Sequence, residues 1–278
     1  SVQRRNQKVV ERAPAPYMDE ATRQELCASA LRLAHAANYS HAGTVEYLYD
    51  VDTAKYYFIE VNPRIQVEHT VTEQVTGVDI VKAQIRVTEG ARVGDPDAFI
   101  PQQKDITLRG HALQCRVTTE DPENNFTPDY GKIAVYRSAA GFGIRLDAGT
   151  AYAGAVITPY YDSLLVKVTA WGHTPDEAAA RMDRALREFR VRGLATNLQF
   201  LENVIAHPLF RSGECTTRFI DTTPELFHFQ KRRDRATRLI RFLGEVTVNG
   251  NPEMKGRVLP KLPLAQPIKP ACDLTAPI

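Results

Sequence analysis

Residues 60–73 read Glu60-Val61-Asn62-Pro63-Arg64-Ile65-Gln66-Val67-Glu68-His69-Thr70-Val71-Thr72-Glu73, and they predict the end of a strand followed by an anion-binding loop. The strand predicted to end with Glu60, Val61 and Asn62 must stop at Pro63, because proline has no N–H to donate to a strand ladder. The loop that follows presents Arg64, Gln66 and Glu68 within five residues. A cation, an amide and a carboxylate so close together suit a small anion that is bound and then deprotonated. We therefore predict that Arg64 binds an oxyanion, Gln66 orients it and Glu68 acts as a base.

The residues just before this loop predict a β-hairpin with its turn about Thr53. In a simple antiparallel register about that residue, Glu46 faces Glu60. Like charges opposed in this way destabilise a sheet unless something compensates them. A divalent cation such as Mg²⁺, with phosphate oxygens completing its shell, would do so, and Asn62 on the same face can add an oxygen ligand. For the two acids alone, a solvated edge strand is the alternative interpretation.

The remaining pattern predicts an α+β protein. The segment 90–103 is rich in Gly, Pro and Asp and indicates a junction between domains. After it the signal is mostly strand with Gly-rich turns. A helix is then predicted to begin after Thr174, where Pro175 and Glu177 complete a capping box. Further predicted features are a helix from Asp19 to Ala37, helices over 77–89, 196–206 and 230–244, a helix stop at Gly193 and a linker over 259–278.

Composition and charge exclude several classes of protein. The 278 residues are 43% hydrophobic and 24% charged, which is typical of a globular chain of about two domains. With 35 basic and 33 acidic residues the net charge is +2, too small to indicate nucleic-acid binding by bulk charge. The chain contains no run of about 18 apolar residues, so no membrane-spanning helix is predicted. Wide spacing predicts free thiols in a reducing compartment for Cys27, Cys115, Cys215 and Cys272.

The motifs together resemble one family, the biotin carboxylase component of biotin-dependent carboxylases, within the ATP-grasp group. Besides residues 60–73, the matching stretches are 3–11, 43–47, 109–112, 115–116, 120–122, 141–143 and 160–163. The loop motif is specific, because other ATP-grasp ligases share the spacing of the acids and Asn but not the Arg-Ile-Gln-Val-Glu-His continuation. The resemblance implies the C-terminal part of an ATP-grasp domain over 1–103, a mostly β biotin carboxylase C-terminal domain with packed helices over 104–222, and a linker towards an allosteric or carboxyltransferase region over 223–278.

The resemblance also implies ATP-dependent carboxylation of biotin with bicarbonate through carboxyphosphate, and a role for each matching residue. The implied ligands of Mg²⁺ (or Mn²⁺) are Glu46, Glu60 and Asn62. The residues implied at ATP are Gln3, Asn6, Glu46 and Glu60, although many members carry His at the position of Asn6. Those implied at bicarbonate are Lys8, Arg64, Gln66 and the backbone of Val67. The implied catalytic residues are Glu68 as base, Arg116 on the ureido oxygen of biotin, Arg64 and Lys8.

The tail over 218–250 resembles that of pyruvate carboxylases, which implies conversion of pyruvate to oxaloacetate. Acetyl-CoA activates that family, and the arginines in matching positions are Arg190, Arg192 and Arg235. A helix ending at Arg190 would favour cations there through its dipole alone, which is the structural alternative. A biotin carboxylase of an acetyl-CoA or propionyl-CoA carboxylase is the alternative function.

Partners follow from the same resemblance. They are a biotinylated carrier domain, a carboxyltransferase domain and the N-terminal half of the ATP-grasp domain, in a homo-oligomer in the cytoplasm, or in the mitochondrial matrix if eukaryotic. The chain begins at Ser1 without the apolar core of a signal peptide, so we expect a fragment of a longer protein. Without the family's N-terminal domain and glycine-rich lid, it is predicted to bind ATP poorly and to be inactive alone.

A basic run leaves another class of protein open. Residues 231–241 hold six basic residues and one acid, which is typical of a solvated helix face and compatible with an anionic-ligand or nucleic-acid contact. No aromatic stacking platform accompanies the run, so we expect neither a nucleic acid nor a membrane as partner. A fragment that serves only in oligomerisation is the remaining alternative.

Overall fold

The structure, a computed structural model, describes residues 1–5, 7–96, 99–149, 151–229 and 235–250. Its strands are β1 (Val2–Arg4), β2 (Gln7–Ala13), β3 (Thr44–Asp50), β4 (Lys55–Asn62), β5 (His111–Thr118), β6 (Glu120–Asp121), β7 (Thr127–Pro128), β8 (Gly131–Lys132), β9 (Val135–Arg137), β10 (Ile144–Ala148), β11 (Val156–Ile157), β12 (Leu164–Gly172) and β13 (Arg190–Arg192). Its helices are α1 (Glu20–Ala36), α2 (His69–Thr76), α3 (Ile80–Thr88), α4 (Pro175–Glu188), α5 (Leu198–Ala206), α6 (Pro208–Ser212), α7 (Phe219–Thr222) and α8 (Arg235–Asn249). The predicted α+β class is confirmed.

A five-stranded antiparallel sheet in the order β1-β2-β5-β12-β10 organises residues 1–229. Strand β2 comes from the predicted ATP-grasp part and β5 from the predicted C-terminal domain, yet they pair directly, with Val10 opposite Cys115. Val10 also belongs to the same hydrophobic core as the β5 and β12 residues. Residues 1–229 therefore form one compact unit, and helix α8 belongs to a second one.

The hydrophobic core lies on one face of this sheet, where α4 packs on β5 and β12. The predicted start of α4 is confirmed, because Oγ1 of Thr174 accepts the N–H of Glu177 at 3.1 Å. The side chains that α4 buries are Ala178, Ala179, Met182, Ala185 and Leu186. Burying a large apolar side chain contributes about 1.5–3 kcal/mol. This face of the sheet therefore stabilises the fold by packing apolar side chains, and polar side chains can lie on the opposite face.

The opposite face, called here the polar face, follows from the strand register. Arg116 of β5 pairs with Lys167 of β12, which pairs with Asp147 of β10. Because paired residues point to the same side of a sheet, these three side chains form one row. The next row consists of Gln114, Thr169 and Arg145. Helix α2 contacts β5, β2 and β12 on this face.

The predicted hairpin is present as a separate two-stranded sheet of β3 and β4. Glu46 lies opposite Glu60, as predicted. A bulge between Glu46 and Tyr47 shifts the register beyond that point, so the simple register about Thr53 holds only at the end of the hairpin nearest the acids. Helix α1, capped by Asp19 as predicted, contains no buried residue.

Three predicted helix boundaries are wrong, and one of them is the end of the helix predicted over 230–244, which continues as α8 to Asn249. The helix expected to begin at Gly77 begins at Ile80, because Gly77 adopts a left-handed conformation (φ 73°) that ends α2, a helix which the sequence interpretation treated as loop. Helix α4 ends at Glu188 rather than at Gly193. Gly193 follows β13 instead, with φ 103°, and a Cβ there would lie 2.4 Å from the backbone oxygen of Lys132. It is therefore a close-approach glycine and not a helix stop.

The cysteines agree with the sequence interpretation as far as they are described. Cys27, Cys115 and Cys215 are free thiols, and Cys272 lies outside the described residues, as does the predicted linker over 259–278. Burial raises the pKa of the Cys215 thiol to about 11, so it is not a reactive thiolate. None of the helices in the described ranges has the length and apolar character needed to cross a bilayer.

Candidate active site

Three chain segments bring Lys8, Glu68 and Arg116 together. Lys8 lies on β2, Arg116 on the adjacent strand β5, and Glu68 at the N-terminal end of α2. The ammonium of Lys8 donates to one carboxylate oxygen of Glu68 (Nζ–Oε1 2.5 Å), and the guanidinium of Arg116 donates to the other (Nη2–Oε2 2.8 Å). The exposed fractions of the three side chains are only 14%, 12% and 23%. The predicted base is therefore held at both oxygens in a site largely shielded from water.

Lys8 also connects this group to the hairpin. Its ammonium donates to Oε1 of Glu46 at 2.7 Å and to Oε1 of Gln66 at 3.1 Å, while Nε2 of Gln66 donates to Glu46 at 3.0 Å. Burial alone would lower the pKa of Lys8, but the hydrogen bonds and charges of Glu46 and Glu68 outweigh it and raise the pKa. Burial would raise the pKa of Glu46, yet hydrogen bonds from Lys8 and Gln66 hold it below the ordinary value. Lys8 and Glu46 are thus both kept charged.

The opposed acids form the other end of the site. Nδ2 of Asn62 donates to Oε1 of Glu46 at 3.1 Å and to Oε1 of Glu60 at 2.8 Å. Turning the amide over would bring its oxygen to the same position, so the three side chains can offer an all-oxygen donor set, which Mg²⁺ and Mn²⁺ prefer. Among the described residues no group of three or more His, Cys, Asp and Glu could hold a metal ion. A cation here therefore needs the amide and further oxygens, such as phosphates, in its shell.

The other predicted ligands are only partly gathered. Arg64 is exposed on the loop between β4 and α2, and its guanidinium donates to a neighbouring backbone oxygen at 3.2 Å. Val67 is half-buried in the same loop. Gln3 lies on β1 opposite Lys8 in the ladder. Asn6 lies outside the described residues. The loop thus places Arg64 and Val67 on either side of Gln66 in the chain, and the charge of Arg64 helps to lower the pKa of Glu46.

Three buried side chains that the sequence interpretation did not assign hold helix α2 on the polar face. Oγ1 of Thr70 donates to Oε1 of Gln114 at 2.5 Å. The same Thr70 oxygen lies 2.7 Å from Oγ1 of Thr169. A hydroxyl has one proton, so Thr169 must be the donor to Thr70. The bonds run in one direction from β12 through α2 to β5. Strand alternation in the sequence predicts that Gln114 and Arg116 share a face, but not that Thr70 reaches them.

A second set of bonds fixes α2 further along its length. Nη1 of Arg145 donates to Oε2 of Glu73 at 2.5 Å, and Oε1 of Glu73 accepts the backbone N–H of Ile80 at 2.7 Å. Glu73 is 8% exposed, so this carboxylate is paired inside the protein. Because α2 is anchored at two points, the position of Glu68 at its N-terminal end follows from the central sheet.

The three arginines predicted at acetyl-CoA lie in two different units. Arg190 and Arg192 are exposed on β13, which pairs with β9. The predicted helix end at Arg190 is wrong, because α4 ends at Glu188 and the two arginines lie on the strand that follows it. Arg235 begins helix α8 in the other unit, and its side chain lies outside the described residues.

Two family models match the chain. Residues 1–95 match the model described as "Carbamoyl-phosphate synthase L chain, ATP binding domain", and residues 114–222 match "Biotin carboxylase C-terminal domain". The pyruvate carboxylase of Bacillus subtilis is 56% identical over 91% of this chain and 22% of that protein. The pyruvate carboxylase of Staphylococcus aureus is 52% identical over 95% of this chain and 23% of that protein. The chain therefore spans less than a quarter of the length of these relatives.

Solved structures agree with these matches. Rhizobium etli pyruvate carboxylase, solved with its allosteric activator acetyl coenzyme A, is 69% identical with a TM-score of 0.85, covering 97% of this chain and 26% of that one. The biotin carboxylase domain of Hydrogenobacter thermophilus 2-oxoglutarate carboxylase, solved as a dimer with MgADP, ADP and bicarbonate, is 40% identical with a TM-score of 0.78, covering 83% of this chain and 49% of that one. The resemblance noted in the sequence is confirmed. The chain belongs to the biotin carboxylase family, and the relatives that match it over nearly its whole length are pyruvate carboxylases.

Proposed function

We propose that the residues around Glu68 form one wall of a biotin carboxylase active site. The complete enzyme would use ATP and bicarbonate to carboxylate biotin, as the first half-reaction in converting pyruvate to oxaloacetate. The observation that carries this proposal is the position of Glu68, held at its two oxygens by Lys8 and Arg116. The carboxylate of Glu68 thereby connects Lys8, which is proposed to bind the anion, with Arg116 on the adjacent strand β5.

The hairpin is proposed as the nucleotide side. Glu46, Glu60 and Asn62 would hold Mg²⁺ or Mn²⁺, which when bound neutralises charge on the ATP phosphates. Gln3 and Asn6 are proposed to contact the nucleotide. The hydrogen bond from Lys8 to Glu46 supports a close approach of bicarbonate to the phosphates, because the same ammonium reaches both the metal ligands and the base.

Bicarbonate is proposed to bind to Lys8, Arg64, Gln66 and the backbone N–H of Val67. Its O–H proton passes to Glu68, and the oxygen that loses it attacks the γ-phosphorus of ATP to give carboxyphosphate and ADP. Protonation removes the negative charge that holds Arg116 at 2.8 Å. Arg116 is then released from its ion pair at the stage at which a second substrate needs it.

Biotin is proposed to bind at Arg116. Carboxyphosphate breaks into CO₂ and phosphate, and phosphate takes the proton from the ureido nitrogen while that nitrogen attacks CO₂. Negative charge grows on the ureido oxygen during this step, and the guanidinium of Arg116 would stabilise it. The half-buried position of Arg116 supports the role, because charges interact more strongly where water is excluded.

The greater length of the relatives supports partners beyond this chain. We propose the N-terminal half of the ATP-grasp domain, a biotinylated carrier domain and a carboxyltransferase domain, in a homo-oligomer in the cytoplasm or, in a eukaryote, the mitochondrial matrix. The acetyl coenzyme A named for the Rhizobium etli relative supports an activator site at Arg190, Arg192 and Arg235. An acetyl-CoA or propionyl-CoA carboxylase has less support, because the Bacillus subtilis and Staphylococcus aureus relatives, which match more than nine-tenths of this chain, are pyruvate carboxylases.

The substitution Glu68→Gln in the full-length enzyme tests the proposal. Glutamine keeps the size of the side chain and an oxygen for Arg116, but it cannot take the bicarbonate proton. Removing a positioned base typically costs about 10² to 10⁴ in rate, so bicarbonate-dependent ATP cleavage should fall by that factor while ATP affinity stays within about twofold. The exposed Glu123→Gln is the matched control. If ATP affinity fell as far as turnover, Glu68 would be a structural residue and the proposal would fail.

A further inference from the structure

Lys167 lies in the same row of the polar face as Arg116. Strand β12 lies between β5 and β10, so Lys167 is paired with Arg116 on one side and with Asp147 on the other. Directly opposed residues have Cβ atoms about 5 Å apart. Lys8 lies on β2, on the other side of β5. The order of cations across the sheet is therefore Lys8, Arg116 and Lys167.

The acids near Lys167 are already bound by another cation. Arg145 donates to both oxygens of Asp147 (Nε–Oδ2 3.0 Å and Nη2–Oδ1 2.8 Å) and to Glu73 at 2.5 Å. The second oxygen of Glu73 is occupied by a backbone N–H. Within the part of the chain that the structure describes, the ammonium of Lys167 makes no hydrogen bond and no ion pair. Its three donors are free to bind something else.

Burial makes this unbonded cation costly. Lys167 is half-buried, and burial lowers its pKa; Asp147 and Glu73 oppose that shift, while Arg145 and Arg116 add to it. A shielded charge without a bonded partner is unfavourable, and a second cation next to it makes the position worse. An oxyanion placed between Lys167 and Arg116 would remove both costs, and it would use the two cations together.

We propose that Lys167 and Arg116 form a two-cation subsite for an oxyanion, and that this anion is the carboxylate newly formed on biotin. The inference rests on the proposed function, because it needs biotin at Arg116. Lys167 lies beyond Arg116 as seen from Lys8, so it is on the side away from the hairpin where the ATP phosphates are proposed. In carboxybiotin the ureido oxygen and the carboxylate are neighbours, which suits two cations on adjacent strands. Free phosphate is the other possible source of the oxyanion, and the experiment separates the two.

The test uses Lys167→Met in the full-length enzyme, which keeps the apolar stem and removes the charge. Lys167→Arg restores a cation, and Lys132→Met removes an exposed lysine on β8 as the matched control. We expect Lys167→Met to lower kcat/KM for free biotin about tenfold or more, the worth of one charge-assisted hydrogen bond. Biotin-independent ATP cleavage should change less than twofold, and Lys167→Arg should recover most of the loss.

Inhibition by inorganic phosphate distinguishes the two oxyanions. If Lys167→Met raises the inhibitory phosphate concentration about tenfold but leaves kcat/KM for biotin unchanged, the assignment to the biotin carboxylate is overturned. Unchanged biotin and phosphate kinetics also overturn it. The assignment is also overturned if Lys167→Met lowers biotin carboxylation and biotin-independent ATP cleavage equally and lowers the unfolding temperature. Lys167 would then only stabilise the fold.

A parallel variant separates this inference from the proposed function. Arg116→Gln is measured in the same two assays, and it should cripple carboxylation of biotin while sparing biotin-independent ATP cleavage. If Arg116→Gln spares the carboxylation of biotin, the proposed function itself fails. If it abolishes that activity while Lys167→Met does not lower it, the proposed function stands and only the role of Lys167 is wrong.

Discussion

Replacing Thr70 by Val removes one buried hydroxyl group and leaves the shape of the side chain almost unchanged. Thr70, Gln114 and Thr169 are 0%, 1% and 0% exposed, so no water can replace a lost hydrogen bond without a rearrangement. Their chain of bonds joins the first turn of α2 to β5 and β12. The substitution therefore tests whether these bonds, rather than apolar packing, hold the helix that carries Glu68.

The expected loss of unfolding free energy follows from the two buried polar groups, on Gln114 and Thr169, that lose their hydrogen-bond partner. In Thr70→Val the amide oxygen of Gln114 loses its donor, and the hydroxyl of Thr169 loses its acceptor. A buried polar group without a partner costs about 1–3 kcal/mol, so the pair should destabilise the protein by about 2–6 kcal/mol. This is a large share of a typical domain stability of about 5–15 kcal/mol. The bond between Glu73 and Arg145 remains, so we expect weakened rather than abolished folding.

Urea and thermal unfolding of the full-length protein, followed by tryptophan fluorescence, measure the change. Trp171 follows Thr169 on β12 and reports on the same sheet. The control is Thr70→Ser, which keeps the hydroxyl and loses one methyl group at a cost of about 1 kcal/mol. If Val and Ser at position 70 destabilise equally, or if the Val variant is more stable than the parent, the hydroxyl chain does not hold α2.

Three further outcomes are expected. Glu60→Gln should raise the Mg²⁺ concentration needed for half-maximal ATP cleavage in the full-length enzyme, and an unchanged titration would remove Glu60 from the metal site. The pKa of Glu46 is held low, so its contribution to stability is complete above about pH 4.3, the ordinary glutamate value, and is lost as the pH falls through the lower folded value. The difference in unfolding free energy between the parent and Glu46→Gln should therefore be largest at neutral pH and shrink in acid; a constant difference would contradict this. Arg235→Ser should raise the acetyl-CoA concentration for half-activation about tenfold or more, the worth of one charge-assisted hydrogen bond, and leave the unactivated rate unchanged. An unchanged activation curve would contradict this role and favour the alternative interpretation of residues 231–241 as a solvated helix face.

Features that depend on a few neighbouring residues could be predicted from the amino-acid sequence alone. Period-two alternation on both sides of a short turn put Glu46 opposite Glu60, and the capping residues put the start of α4 after Thr174. The loop motif identified the family, which the matches over nearly the whole chain confirm. The roles of the individual site residues stay predictions. Turns, caps and hairpin registers are local choices, so the order of residues along the chain is enough to specify them.

Contacts between residues far apart in the chain could not be predicted, because they depend on the order of the strands in the folded sheet. Glu68 is 60 positions from Lys8 and 48 from Arg116, and Thr70 is 99 positions from Thr169. These contacts exist because β2, β5 and β12 are neighbours in one sheet, an order that no local pattern specifies. The same sheet placed Lys167 beside Arg116. Strand order is set by the burial of the whole hydrophobic core, a sum over many distant residues, and the polar face receives its arrangement of charges as a consequence.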